Sequence, residues 1–252
     1  MSSLIQSSIP WKQEFLSIPE IKQVNTKSGR FYVVEDSAKD DYSPSDKFYS
    51  ITNVLGDNPE KKKTLNAWRN RVGHETANKI SRFSAGRGTK VHKIFEDYLK
   101  GASIDKGQLF PHILPMVSAG IHIIEQNISS VYHLEKRLVS KKLRVAGTVD
   151  GIIEWNWVPA ILDFKTARRP KRKEWIEDFF LQCTAYSIML KELTGQEFDL
   201  IIIFIVVEGQ KEPQIFVESA KKYKPLLLKR VWEFYGRRPS ETFPEIFLKK
   251  SA

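Results

Sequence analysis

Gly147-Thr148-Val149-Asp150-Gly151-Ile152-Ile153-Glu154-Trp155-Asn156-Trp157-Val158-Pro159-Ala160-Ile161-Leu162-Asp163-Phe164-Lys165 is the stretch that decides both fold and chemistry. Its two halves are rich in Val, Ile, Leu and Phe, with a turn signal at Asn156–Val158, so they read as antiparallel strands joined by a tight hairpin. On a strand, residues i and i+2 share a face. Asp163 and Lys165 therefore point together, while Leu162 and Phe164 face the opposite side. A charged pair inside an otherwise apolar strand costs free energy unless it is paired or holds a metal. Asp150 lies in the preceding strand, and neighbouring strands sit about 4.8 Å apart. Two carboxylates facing one way across that gap make an oxygen site for a hard divalent cation such as Mg²⁺. Such an ion activates water and offsets charge on a phosphoryl transition state, with Lys165 orienting the nucleophile or stabilising developing negative charge. A purely structural Asp–Lys ion pair is the competing reading.

Working outward, Leu134–Ser140 and Leu143–Trp155 pair with Pro159–Thr166 as adjacent hairpins. Glu174–Leu193 is a long helix that Gly195 stops. Asp199–Val207 is a continuous apolar run of the kind buried on both faces. Gln214–Glu218 is a shorter strand, and Ala220–Tyr235 a closing helix. Upstream, Leu65, Trp68, Val72 and Thr76 recur at helical steps over Lys61–Ile80. A second helix spans Arg87–Lys100, opened by the flexible pair Gly86 and Gly88, and a third covers Ile113–Ser129. The first fifty residues carry a short strand at Arg30–Glu35 and a loop at Asp36–Asp46. The result is an α/β chain with a central mixed sheet flanked by helices, divided into an N-terminal extension with a helical segment (1–85) and a core (86–252).

The 252 residues include 40 Lys/Arg against 30 Asp/Glu, a formal charge of +10, which favours a polyanionic partner. The 41% apolar content fits a globular protein. One cysteine, Cys183, excludes an internal disulfide and a Cys-only zinc or iron–sulfur site within one chain. The longest wholly apolar run, Ile201–Val207, is about a third of a membrane span. The first thirty residues lack a secretory hydrophobic core and carry Glu14 and Glu20, so the expectation is an intracellular soluble protein, in the cytoplasm of a bacterium or phage-infected host, with no membrane partner.

Asp150, then Asp163-x-Lys165, then a helix with Gln182-x-x-x-Tyr186 resembles the PD-(D/E)xK nuclease superfamily in its RecB-like branch. Gly88-Thr89-Lys90-Val91-His92-Lys93-Ile94-Phe95-Glu96 fits that family's helix with a metal-binding histidine. Tyr49-Ser50-Ile51-Thr52-Asn53-Val54-Leu55 and Trp68-Arg69 are similar to the opening region of the mitochondrial genome maintenance exonuclease and its phage and bacterial relatives. The resemblance spans about residues 48–208 and implies a restriction-endonuclease-like core. It implies His92, Asp150 and Asp163 as ligands of one or two Mg²⁺ (or Mn²⁺) ions, with the Phe164 carbonyl a further one, Lys165 as the catalytic lysine, and Gln182 and Tyr186 beside the active site and the DNA. It implies a metal-dependent DNA exonuclease preferring single strands with free ends, in replication, recombination, repair or phage DNA metabolism, with replication or recombination proteins as partners. Four-cysteine relatives hold an iron–sulfur cluster; this chain lacks the cysteines for one.

Bland readings stand beside the functional ones. Glu96 orients His92 or forms a helix salt bridge with Lys93 or Lys100. Gln182 and Tyr186 border the site or are ordinary partly buried helix residues. Arg168, Arg169, Lys171, Arg172 and Lys173 track a phosphate backbone or are merely solvated. Trp155, Trp157 and Trp175 stack bases or pack, packing being expected of at least two. Lys61–Lys63, Arg69 and Arg71 add a second basic wall whose helices arch over a single strand. Cys183 reads as a small core residue, and His74, His112, His122 and His133 lack convincing partners. The rivals are a nuclease that nicks internally or trims flaps, a non-catalytic nucleic-acid-binding recombination factor, and a structural α/β protein whose charges form ion pairs.

Overall fold

The computed structural model describes residues 4–12, 18–26, 29–34, 47–238, 244, 246 and 247. In chain order these form β1 (Leu4–Ile5), β2 (Ile21–Thr26), β3 (Gly29–Val34), β4 (Phe48–Ser50), α1 (Ile51–Gly56), α2 (Pro59–Val72), α3 (His74–Leu99), β5 (Ile104–Asp105), α4 (Leu114–Asn127), β6 (Ile128–Ser140), β7 (Val145–Trp155), β8 (Val158–Ala167), α5 (Glu177–Thr194), β9 (Leu200–Val207), β10 (Gln214–Ser219) and α6 (Ala220–Gly236). The Asp36–Asp46 loop and Glu35 lie outside the described residues. Among the described residues no helix is long and apolar enough to cross a membrane.

Eight strands form one mixed sheet in the order β10-β9-β8-β7-β4-β3-β2, with β6 also paired to β7. The β4–β7 and β8–β9 pairs are parallel and the others antiparallel. β9 shows why its sequence is apolar throughout. Ile201, Ile203, Ile205 and Val207 pack on the α5–α6 side, with Phe180, Leu181 and Leu227. Ile202, Phe204 and Val206 pack on the α3–α4 side, with Val91, Phe95 and Ile121. Helices thus flank both faces. β7 and β8 meet at the two-residue turn Asn156–Trp157, whose φ values of 49° and 67° are those of the turn that matches strand twist in a hairpin.

Two helix boundaries differ from the sequence reading. The Lys61–Ile80 pattern is two helices broken at Gly73, whose φ of 86° a residue with a Cβ rarely adopts. Conversely, Gly86 and Gly88 open no helix: α3 runs through both, and the expected boundary at residue 85 falls inside it. A glycine inside a helix costs only about 1 kcal/mol, too little to end a 26-residue element. β2, β4 and α1 had no counterpart in the reading. α2 buries no side chain, and α3 buries only Ala77 before Arg87, so residues 59–86 form a helical arm. Ion pairs root it: Lys61 with Asp178 of α5, and Lys62 with Asp57, which also takes Arg237 and Arg238.

Candidate metal centre and active-site cleft

The sheet forks at β7. One edge pairs with β6 throughout. The other edge is taken first by β4, at Val145 and Ala146, and later by β8, from Gly151 to Trp155. Gly147–Asp150 are paired to neither. At the fork the Asp150 side chain replaces the missing ladder bond: its Oδ2 accepts the Phe164 N–H at 2.8 Å. Asp150 is thereby fixed by β8's own backbone.

Three groups converge on this point. His92 Nδ1, from α3, lies 3.4 Å from Asp150 Oδ2. Ligand-capable atoms of His92, Asp150 and Glu135 all lie within 4.8 Å of one another. Glu135 comes from β6, between Leu134 and Lys136, which pair with Gly151 and Val149. Its φ of 50° breaks the regular strand there. Burial pushes His92 down to about 4, with the Lys165 charge adding to it, so the imidazole is neutral near pH 7. Burial, with Asp150 and Glu96 nearby, pushes Glu135 up to about 7. Burial also raises Asp150, against the opposing pull of Lys165. A neutral imidazole and two carboxylates crowded at raised pKa form a donor set that a hard divalent cation relieves and fits. The sequence reading missed Glu135.

Asp163 is not in that group. It is fully buried; its Oδ1 accepts from Gln182 Nε2 at 3.2 Å, and its Oδ2 lies against the Lys165 ammonium without hydrogen-bond geometry. The Lys165 ammonium also donates to the Phe164 carbonyl at 3.3 Å and sits 5.1 Å from the Phe179 ring centre. Asp163 and Lys165 share a face, as the strand period requires, and Leu162 and Phe164 pack on the other. Burial pushes Asp163 up to about 6 against the Lys165 charge. Burial works to lower Lys165, but Asp163 and Asp150 outweigh it and hold the ammonium charged.

Gln182 Nε2 also donates to the Tyr186 hydroxyl at 3.0 Å, so Tyr186 and Gln182 on one face of α5 are linked to Asp163 of β8. Burial raises the Tyr186 hydroxyl well above its ordinary range, keeping it neutral, and it accepts the Gln182 N–H. Gly147 makes room for it. A Cβ there would stand 2.7 Å from Tyr186 Cε1 and 3.0 Å from its hydroxyl. Gly147→Ala is therefore expected to displace Tyr186, cost about 1–3 kcal/mol of stability, and loosen Gln182 from Asp163. Thermal melts read the first effect. The double variant Gly147→Ala/Tyr186→Ala, which empties the crowded volume, should lose less than the sum of the two single changes.

A cleft of about 540 Å³ opens over the His92–Asp150–Glu135 group. α3 supplies Gly88, Thr89 and Lys93; β3, the end of β4 and the start of α1 supply Arg30, Tyr32, Ser50 and Thr52; β7 supplies Thr148 and α5 Gln182 and Tyr186. Lys93 is committed to Glu96 and Asp97, whereas Arg30 is exposed with no ion-pair partner among the described residues. Its only signal in the sequence was membership of a short strand. Arg168, Arg169, Lys171 and Arg172 do not line this cleft. They lie exposed in the segment after β8, where the Lys171 backbone is held by the Gln214 side chain and Arg172 stacks on Trp175. Glu96 salt-bridges Lys93 and Lys100. Trp155 is core, but Trp157 and Trp175 are exposed, so only one of the three packs. Cys183 is buried in the core.

No protein-family model and no curated protein matches the chain. Among solved structures, the chain is similar to a "putative exonuclease" from Eubacterium rectale, at 12% identity and a TM-score of 0.41, over 62% of this chain and 69% of that one. That likeness is too slight to bear on activity.

Proposed function

We propose that the chain is a metal-dependent nuclease of the PD-(D/E)xK type, RecB-like branch, hydrolysing DNA from free single-stranded ends. The observation that carries this reading is the convergence of His92, Asp150 and Glu135 at the β7 fork, with the Asp163–Lys165 pair flanking Asp150's anchor at Phe164. His92, Asp150 and Glu135 would hold Mg²⁺ or Mn²⁺, with Asp163 and the Phe164 carbonyl as nearby oxygens. When bound, the ion supplies Lewis-acid activation of water and of the phosphoryl group.

The chain's own residues do the rest. Lys165 brings a half-buried ammonium to the reacting phosphate, where it offsets charge and orients the nucleophile. Gln182, held by Tyr186, keeps the Asp163 carboxylate turned to Lys165. Arg30 and the hydroxyls of Thr52 and Thr89 offer donors to flanking phosphates. The 168–172 segment adds four cations further out, which hold the backbone electrostatically and with strong salt dependence. In this reading the 59–86 arm supplies the arch over the incoming strand, and the eight-stranded sheet with the helices on its two faces supplies the nuclease core.

Metal affinity should depend on pH with a definite sign. Glu135 is protonated below about 7, and an ion must displace that proton. Mn²⁺ affinity is expected to fall as pH drops from 8 to 6, by up to about tenfold per unit below 7, since one proton is released per ion bound. Titration of Mn²⁺ by calorimetry in two buffers of different ionisation heat checks both the trend and the proton release.

The reading is tested with end-labelled linear, circular and duplex DNA in Mg²⁺ or EDTA. The expected result is Mg²⁺-dependent release of short products from linear single strands, with circles left intact. Cleavage of circles would make the enzyme an endonuclease. No cleavage of any substrate would leave a binding protein built on the same charged cluster.

A further inference from the structure

Phe83 of α3 and Phe110 of the α3–α4 connection are 58% and 54% exposed, unusual for phenylalanine. They are not scattered. The His112 ring lies between them, with centroids 5.8 Å from Phe83 and 5.9 Å from Phe110 and interplanar angles of only 33° and 35°. The three rings thus form a tilted row. Lys90, two helical turns after Phe83 on the same face of α3, sets its ammonium 4.1 Å from the Phe110 ring centre. This face is not the one that lines the cleft, which α3 builds from Ala85, Gly88, Thr89, His92 and Glu96.

The two segments that carry the row are basic in sequence. Residues 76–95 contain Lys79, Arg82, Arg87, Lys90 and Lys93 and not one carboxylate; residues 106–124 contain Lys106 and again no carboxylate. Among the described residues neither Arg82 nor Lys90 is in an ion pair. Lys79, Arg87 and Lys93 are taken by Glu75, Glu208 and the Glu96–Asp97 pair, which leaves Arg82 and Lys90; exposed π-faces beside cations without an ion pair match unpaired bases on a phosphate backbone.

We propose that Phe83, His112 and Phe110, with Lys90, form a base-stacking platform for single-stranded nucleic acid, on the flank of α3 away from the cleft. It rests on the nucleic-acid reading above and extends it: a strand seated in the cleft and crossing the α2–α3 arm meets the platform beyond the arm. Only strands long enough to reach it gain from it.

The test compares binding of oligo-dT of about 6 nucleotides, near the short end of typical single-strand site sizes, and of about 20, beyond their long end. Binding is read by anisotropy in EDTA, for the wild-type protein and for Phe83→Leu/Phe110→Leu, which keeps apolar bulk but removes the rings. The expected result is a roughly 5- to 100-fold loss of affinity for the long strand, the range set by stacking one base, with the short strand unchanged. Phe110→Trp should retain the long-strand affinity, and an abasic backbone of the long length should bind wild-type and variant alike. Equal loss on both lengths, no loss on either, or tight abasic binding that the variant weakens would overturn the platform. The cleft reading fails separately: wild-type protein that binds the long strand through the rings yet releases no nucleotide in Mg²⁺ keeps the platform and loses the nuclease.

Discussion

Lys165→Ala is expected to lower Mg²⁺-dependent cleavage of single-stranded DNA by about 10²–10³-fold, the effect of removing one preorganised donor from a reacting oxyanion. Binding of the uncut strand should change little. The asymmetry follows from position: Lys165 is half-buried and held against Asp163 and the Phe164 carbonyl, less available to ground-state backbone than Arg30 or the exposed cations. Removing the ammonium leaves Asp163 buried without its partner, and burial already raises that carboxyl. The variant is therefore expected to take up a proton at Asp163 near neutrality, and the remaining activity should rise with pH. Lys165→Arg separates charge from geometry, because a planar guanidinium cannot occupy the ammonium's place between Asp163 and the Phe164 carbonyl; it should recover little. Retention of wild-type turnover by Lys165→Ala would remove Lys165 from the chemistry.

The second large effect is on stability, with metal as the variable. A cation bound only by the folded chain stabilises it by about 2.7 kcal/mol at a hundredfold excess over Kd. For a chain of this length each kcal/mol moves Tm by about 2–4 °C, so saturating Mn²⁺ should raise Tm by about 5–10 °C. His92→Ala, Asp150→Asn and Glu135→Gln should each abolish most of that rise. In EDTA, Glu135→Gln should be no less stable than wild type, because it removes a carboxylate crowded against Asp150 and Glu96. Asp150→Asn should be less stable in EDTA, because its carboxylate holds the Phe164 N–H at the fork. A structural protein with no metal site predicts no Mn²⁺-dependent shift in any of the four proteins.

The parts of the fold that were legible in sequence are those with long, strong periods. β7 and β8 announced themselves by β-rich runs around Asn156–Trp157, and α5 by a helical pattern that Gly195 ends with φ 75°. β9 was legible because burial on both faces leaves no polar alternation. What escaped was short or set by tertiary contacts. β4 and α1 have three and six residues, too few to show a period, yet β4 is the strand that completes the fork. Gly73 and Gly86 are the same residue type, but only Gly73 takes up a positive φ, which sequence does not distinguish.

The site divides along the same line. That Asp163 and Lys165 share a face followed from strand geometry alone, and they do contact each other. The expected pair Asp150 and Asp163 do feel each other's charge, and Asp163 acts on His92 as well, but a further carboxylate, Glu135, stands with Asp150 and His92. β8 departs from β7 after Leu162, Lys165 and Gln182 take Asp163, and the carboxylate beside Asp150 and His92 is Glu135. Leu134-Glu135-Lys136 reads as an ordinary strand, and what sets Glu135 across from Asp150 is the β6–β7 register, Leu134 opposite Gly151 and Lys136 opposite Val149, which the sequence alone does not fix. Arg30 was equally silent, because the cleft wall it joins is built by three segments brought together only on folding.

The most direct test of a cation at the β7 fork is an anomalous difference map from a crystal soaked in Mn²⁺. A peak among His92, Asp150 and Glu135, with Lys165 close by, is the predicted result. A crystal saturated with Mn²⁺ elsewhere but showing no peak among these three side chains would contradict the account.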